Sequence, residues 1–120
     1  MKNTFVAILL LTIMSCGSMK YHFNRAKPID SSCLTEGMSP NVAQDCLKRP
    51  LNEKHVDCSR RITIEGEEMY IQQYDYALSE GGILDQIYLF YVGNELIYWE
   101  QSLESWTWAI KKANEIYGSL

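Results

Sequence analysis

Residues 85–100 read DQIYLFYVGNELIYWE, and two signals within them decide the architecture. Gly93 and Asn94 are residue types that accept a positive φ, which the two-residue turns joining antiparallel strands require. On either side lie β-branched and aromatic residues, the composition that suits a pleated, half-buried surface. The stretch is therefore predicted to be a β-hairpin. Taken without irregularity, its register sets Tyr91 opposite Leu96, Leu89 opposite Tyr98 and Tyr88 opposite Trp99, each pair on a shared face. The first arm is apolar on both faces, so the sheet needs cover on both or leaves an apolar surface.

Upstream, LSEGG (78–82) punctuates the chain, and MYIQQYDYA (69–77) reads as another strand. With a period of two, Tyr70, Gln72, Tyr74 and Tyr76 share one face, while Met69 and Ile71 begin the other. RITI (61–64) precedes it, with EGE (65–67) as a turn. The sheet is thus antiparallel, with three or four strands.

The flanking segments change to a helical period. In TEGMSPNVAQDCLKRP (35–50), Ser39 is an N-cap and Pro40 takes the first helical position, where its missing N–H costs nothing. Val42 and Cys46 fall on one face with Ala43 and Leu47 beside them, and Met38 is placed to staple onto Ala43. Lys48 and Arg49 suit the negative end of the helix dipole, and Pro50 ends the helix. Before it, Asp30 is expected to cap a two-turn helix over SSCLTE (31–36), stopped by Gly37. After the hairpin, Ser102 is expected to cap a closing helix over 103–117, with Trp106, Ala109, Ile110, Ala113 and Tyr117 as its stripe, Trp108 exposed and Gly118 as its stop. The class is α+β: two short N-terminal helices on a small antiparallel sheet, plus a C-terminal helix.

A chain of 120 residues holds one modest core. Its beginning, MKN followed by TFVAILLLTIM, is too short an apolar run to span a bilayer, which takes roughly 20 residues, and reads as a secretory signal. IMSC (13–16) resembles the bacterial lipobox, and that resemblance implies that Cys16 is lipidated and becomes the first mature residue. Gly17, standing where an aspartate would signal inner-membrane retention, implies sorting to the outer membrane. Met14 is bulkier than the usual occupant, so an ordinary cleaved signal is the alternative. The expected organisation is a signal over 1–15, a tether over 16–28 carrying Lys20, His22, Arg25 and Lys27, and one domain over 29–120.

Loss of residues 1–15 removes Lys2 alone, taking the formal charge from −4 to −5. A weakly acidic domain without a basic stripe is a poor nucleic-acid binder. Export places Cys33, Cys46 and Cys58 in an oxidising compartment. Three cysteines allow three single bridges. The reading favours Cys46–Cys58, which would close the LKRPLNEKHVD loop, with Cys33 as the alternative partner. No C-x-x-C is present, and no metal or cofactor is expected. His22 and His55 are the only histidines, too few to assist a serine or cysteine nucleophile convincingly. EGEE (65–68) reads as a solvated turn, and no phosphate-cradling glycine loop occurs. No catalytic residue and no small-molecule substrate are expected. Eight tyrosines and three tryptophans are the composition of packing and of binding hot spots alike, and Tyr70, Tyr74, Tyr98 and Trp99 are the expected partner surface.

Gly37, Met38, Ser39, Leu47 and Pro50 stand at spacings similar to the helix motif of the BamE (small protein A) family of outer-membrane lipoproteins, whose two-helix, three-strand plan is shared by the modules of β-lactamase inhibitor proteins. YIQQYDY and IYLFYVGNELIYW resemble the family's first strand and closing hairpin. The likeness covers about residues 30–100. Lys48 departs from it, standing where a glycine is usual, and the helix from 103 has no counterpart. The resemblance implies a protein-binding or structural accessory in envelope or β-barrel assembly, anchored by lipid and facing the periplasm. The alternative is an inhibitor-like or exclusion lipoprotein that binds one enzyme or surface protein.

Overall fold

A computed structural model of the chain describes residues 26–48, 59–77 and 82–120. In order they form helix α1 (Pro40–Leu47), strands β1 (Ser59–Ile64), β2 (Glu67–Ala77), β3 (Ile83–Val92) and β4 (Glu95–Gln101), and helix α2 (Trp106–Gly118). The strands make one antiparallel sheet in the order β1-β2-β3-β4.

Alternation along β2 and β3 makes two apolar faces, and each is covered by a separate element. On one face Tyr74, Ile87, Leu89, Tyr91 and Leu96 pack with Leu34 and with Ala43 and Leu47 of α1. On the other, Met69, Ile71, Tyr88 and Phe90 pack with Ala109, Ala113 and Ile116 of α2. The sheet is the middle of three layers, and its central side chains are fully buried on both sides.

Local chemistry accounts for most of the element ends. Ser39 Oγ accepts from the Val42 N–H at 3.3 Å and caps α1, with Pro40 in its first turn. Met38 packs against the same cluster as Ala43, in keeping with the staple. The helix buries Ala43 and Leu47, whereas Val42 is 49% exposed; the buried stripe lies one position further along than Val42–Cys46. Lys48 does not sit in the last turn; it follows the helix as its C-cap in the left-handed region, at φ 54°. Arg49 and Pro50 lie outside the described residues.

The expected first helix does not form. Asp30 accepts from the Ser32 N–H at 3.0 Å, and the Leu34 N–H bonds the Ser31 carbonyl, so its capping signal is spent on a turn. Segment 31–38 then runs beside β4: the Gly37 N–H donates to the Leu96 carbonyl and the Leu96 N–H to the Met38 carbonyl, both at 2.8 Å. Hydrogen bonds to β4, the burial of Leu34 and a covalent tie to α1 outweigh two turns of helix, which alone would be marginal.

That tie is a disulfide between Cys33 and Cys46, with Cα atoms 5.8 Å apart. It replaces the favoured Cys46–Cys58 pairing. Cys46 faces the 31–38 segment that α1 packs against, while Cys58 lies outside the described residues.

The hairpin departs from ideal in one place. Both central turn residues, Gly93 and Asn94, have positive φ, and Tyr91 opposes Leu96 as expected. The register then shifts, so that Phe90 opposes Tyr98, Leu89 opposes Trp99 and Tyr88 opposes Glu100. The extra residue leaves Ile97 and Tyr98 both on the α2 face and returns Trp99 to the α1 face, which is what a β-bulge does to alternation. The closing helix starts later than expected: Ser105, not Ser102, is its N-cap, accepting from the Trp108 N–H at 3.2 Å. Trp108 is half-buried against Tyr88, with ring centroids 5.4 Å apart.

Two outcomes follow from these contacts. Replacing Cys33 with Ser should lower the unfolding free energy by roughly 3 kcal/mol, the scale for closing a loop of about a dozen residues, measured by urea titration, with peptide mapping recovering a Cys33–Cys46 peptide from the native chain. Lys48→Gly should raise stability by about 0.5–1 kcal/mol, because a left-handed backbone opposes a Cβ more than it opposes glycine; an unchanged or lower urea midpoint would count against the cap geometry.

Candidate functional site

The four residues expected to form a partner surface do not form one. Tyr74 is 0% exposed and belongs to the core under α1. Tyr98 has moved to the α2 face through the bulge; it packs on Phe90 at 5.7 Å and its hydroxyl donates to Glu100 at 2.5 Å. Trp99 is half-buried against the α1-side core. Tyr98 lines a shallow pocket beside α2, and Tyr70 lies at an open groove whose surroundings make the candidate site.

On the α1 side, α1 does not extend over the end of the sheet where both hairpins turn. There an open groove of about 490 Å³ lies between the two turns, with Tyr70 and Tyr91 at its base and Arg61, Glu68, Gly66 and Gly93 along its rim. Each turn has positive φ at both central residues, Glu65 and Gly66 in one and Gly93 and Asn94 in the other; at the base Tyr70 is partly exposed and Tyr91 is buried. Arg61 lies over the Tyr70 ring at 4.3 Å and donates to Glu68 at 2.8 Å. The pair is exposed, so its contribution to stability is small; its effect is to hold the guanidinium over the aromatic ring. EGEE therefore does more than solvate a turn, since Glu68 orients Arg61.

The tyrosines beneath are fixed from inside the sheet. The Gln72 side chain is buried, and its carbonyl oxygen accepts from Tyr91 at 2.7 Å and from Tyr74 at 3.1 Å, while its amide donates to Tyr70 at 3.5 Å. One glutamine thus satisfies three hydroxyls. Burial pushes the Tyr74 and Tyr91 hydroxyls far above the usual tyrosine range, with neighbouring tyrosines adding to it. A second buried set lies under α2: Gln73 donates to Tyr88 at 2.6 Å, and Tyr88 donates to the Glu104 carbonyl at 2.5 Å. Burial raises the Tyr88 hydroxyl too.

The arrangement offers a shaped, partly aromatic surface with one oriented cation. Among the described residues no three His, Cys, Asp or Glu side chains come together as metal ligands. His22, His55, Cys16 and Cys58 lie outside them. The strand pattern of 69–77 points to Tyr70, but the composition of RITI (61–64) signals only a strand and does not single out Arg61. Its pairing partner, seven residues on, is visible only once the β1–β2 turn is closed. Compared with protein-family models, curated proteins and solved structures, the chain matches none.

The buried hydroxyls set a limit at high pH. Below about pH 9 these tyrosines keep their protons in both states and add no slope; above about 10 the unfolded chain loses protons that the folded chain retains, so stability falls as pH rises. Urea midpoints should hold between pH 7 and 9 and drop steeply beyond about 10.5; a midpoint constant into that range would contradict the burial of the three hydroxyls.

Proposed function

We propose that this chain is a lipid-anchored lipoprotein of the outer membrane, facing the periplasm, that works as a protein-binding or structural accessory in envelope or β-barrel assembly. The observation that carries the reading is the Cys33–Cys46 disulfide, in a domain whose described part begins ten residues after Cys16. Disulfides persist in oxidising compartments, so the cross-link supports export and agrees with residues 1–15 acting as a signal. The lipobox-like IMSC then supplies the anchor at Cys16 and Gly17 the sorting signal.

Membership of the BamE family is part of the same proposal. It is supported by Ser39 capping α1, by Leu47 packing on the sheet, and by Gly37 standing at φ 91°, a backbone only glycine adopts freely. Against the minimal plan stand a fourth strand, a single helix before the sheet among the described residues, and α2 on the opposite face.

The partner is a protein, and it docks at the hairpin-tip groove. Tyr and Arg are the residue types most enriched in binding hot spots, and Arg61 and Tyr70 present both in one stacked unit at an open surface. The proposal assigns no catalytic residue, cofactor or metal. Full-length tagged protein, captured from detergent-solubilised envelopes, should retain barrel-assembly components and lose them at least tenfold on Arg61→Glu, an exposed change expected to move stability by no more than about 0.5 kcal/mol. Recovery of one hydrolase or receptor instead would favour the inhibitor-like role. Capture unaffected by Arg61→Glu would remove the groove from the interface, and unchanged size and membrane fractionation on Cys16→Ala would remove the lipid.

A further inference from the structure

We infer that the end of the domain opposite the groove is a membrane-contacting surface, with Leu84 and Leu103 resting in the interface of the bilayer to which the chain is anchored. The inference rests on the lipid-anchor reading. It begins from two of the four large apolar side chains exposed among the described residues, the others being Val42 on α1 and Leu120 just after α2: Leu84 is 47% exposed and Leu103 57% exposed. They are close together. Leu84 is the residue left over where the β2–β3 register shifts, between Ile83 opposite Ala77 and Asp85 opposite Tyr76, and Gln86, two residues on, accepts at Oε1 from the N–H of Glu104, the residue after Leu103. The pair thus flanks one hydrogen bond at the end of the sheet where β3 begins and β4 ends.

The chain arrives from the anchor at this same end. Ser31 Oγ donates to the Gln101 side chain at 3.4 Å, and Gln101 Nε2 donates to Asp85, the neighbour of Leu84, at 2.5 Å. From there segment 31–38 climbs along β4 to Leu96, near the hairpin tips. The tips are nine residues along β3 and its turn from Leu84, about 30 Å at strand rise. Between Cys16 and Ala26 lie nine residues, which reach at most roughly 35 Å. Whatever their path, they keep Ala26, five residues before Ser31, within that distance of the lipid.

Proximity of this kind makes a weak contact sufficient. A surface held by a short tether faces its target at an effective concentration on the order of millimolar, so two leucines that would not recruit a free protein can set the orientation of an anchored one. Leucine side chains seated at the headgroup and acyl boundary are the usual apolar contribution of an interfacial segment. The charge beside them selects the kind of surface: Asp85 follows Leu84 and Glu104 follows Leu103 in the chain, which suits a zwitterionic bilayer and not a strongly anionic one. The resulting orientation carries the Arg61–Tyr70 groove away from the membrane.

The test uses the full lipidated chain in neutral phosphatidylethanolamine–phosphatidylcholine vesicles, with a benzophenone amino acid placed at position 84, 103 or 42. Val42 is the control because it is 49% exposed on the layer of α1. Lipid adducts, counted by mass spectrometry, should be at least fivefold more abundant at 84 and 103 than at 42. Equal yields at the three positions, on protein whose Cys16 carries the lipid mass, would overturn the orientation and leave the anchor standing. Protein recovered with unmodified Cys16 would overturn both.

Discussion

A four-stranded sheet with apolar side chains on both faces cannot be covered by one short helix, and the other elements are arranged around that constraint. Tyr74, Ile87 and Leu89 face one way, Ile71, Tyr88 and Phe90 the other, all fully buried. The first set needs α1 and segment 29–38, which are too small to hold themselves in place; the Cys33–Cys46 bridge joins them and the hydrogen bonds at Leu96 fix them to β4. The second set needs α2, whose small residues Ala109 and Ala113 let it lie close on the aromatic rings. Each layer is ordered only because the sheet is, and the sheet is dry only because both layers are present.

Burying tyrosine on this scale creates a polar problem, because each hydroxyl left without a partner would cost about 1–3 kcal/mol. Two adjacent glutamines of β2, pointing to opposite faces, meet it. Gln72 serves Tyr70, Tyr74 and Tyr91, and Gln73 serves Tyr88. These networks also order the proposed groove: the rings at its base are held by hydrogen bonds that never reach the surface, so the base is rigid before any partner arrives.

Much of this was legible in residue order. The turn at Gly93–Asn94, the strand alternation of 69–77, the Ser39–Pro40 helix start and the stripe through Ala109 and Ala113 are local signals, and the structure keeps them. What failed was non-local. The bulge at Ile97, between the Tyr91–Leu96 and Phe90–Tyr98 pairs, has no glycine to announce it, yet it exchanges the faces of Tyr98 and Trp99 and so dissolves the expected aromatic surface. Asp30 and Ser102 both carry capping chemistry, but Asp30 closes a turn, and the Tyr88 hydroxyl and Gln86 side chain hold Glu104 outside the helix until Ser105. Cys33 and Cys46 meet because segment 31–38 lies along β4, which no spacing rule encodes.

The two ends of the sheet differ in a way that bears on how such a domain could work. At the hairpin end, tight turns with positive φ expose a stacked arginine and tyrosine over a rigid aromatic base. At the other, the chain's entry, a polar link through Gln101 and Asp85, and two exposed leucines are brought together. The central strands β2 and β3 run between these ends, and the core reaches the hairpin end only through the tyrosines at the groove's base. Substitutions at exposed positions such as Arg61 or Leu84 can alter contacts with a partner or a membrane at little cost to the fold, whereas changes at Gln72 or Tyr74 act on the layer under α1 and changes at Tyr88 on the layer under α2. Stability is therefore concentrated in the middle of the sheet, and the freedom to acquire function lies at its ends.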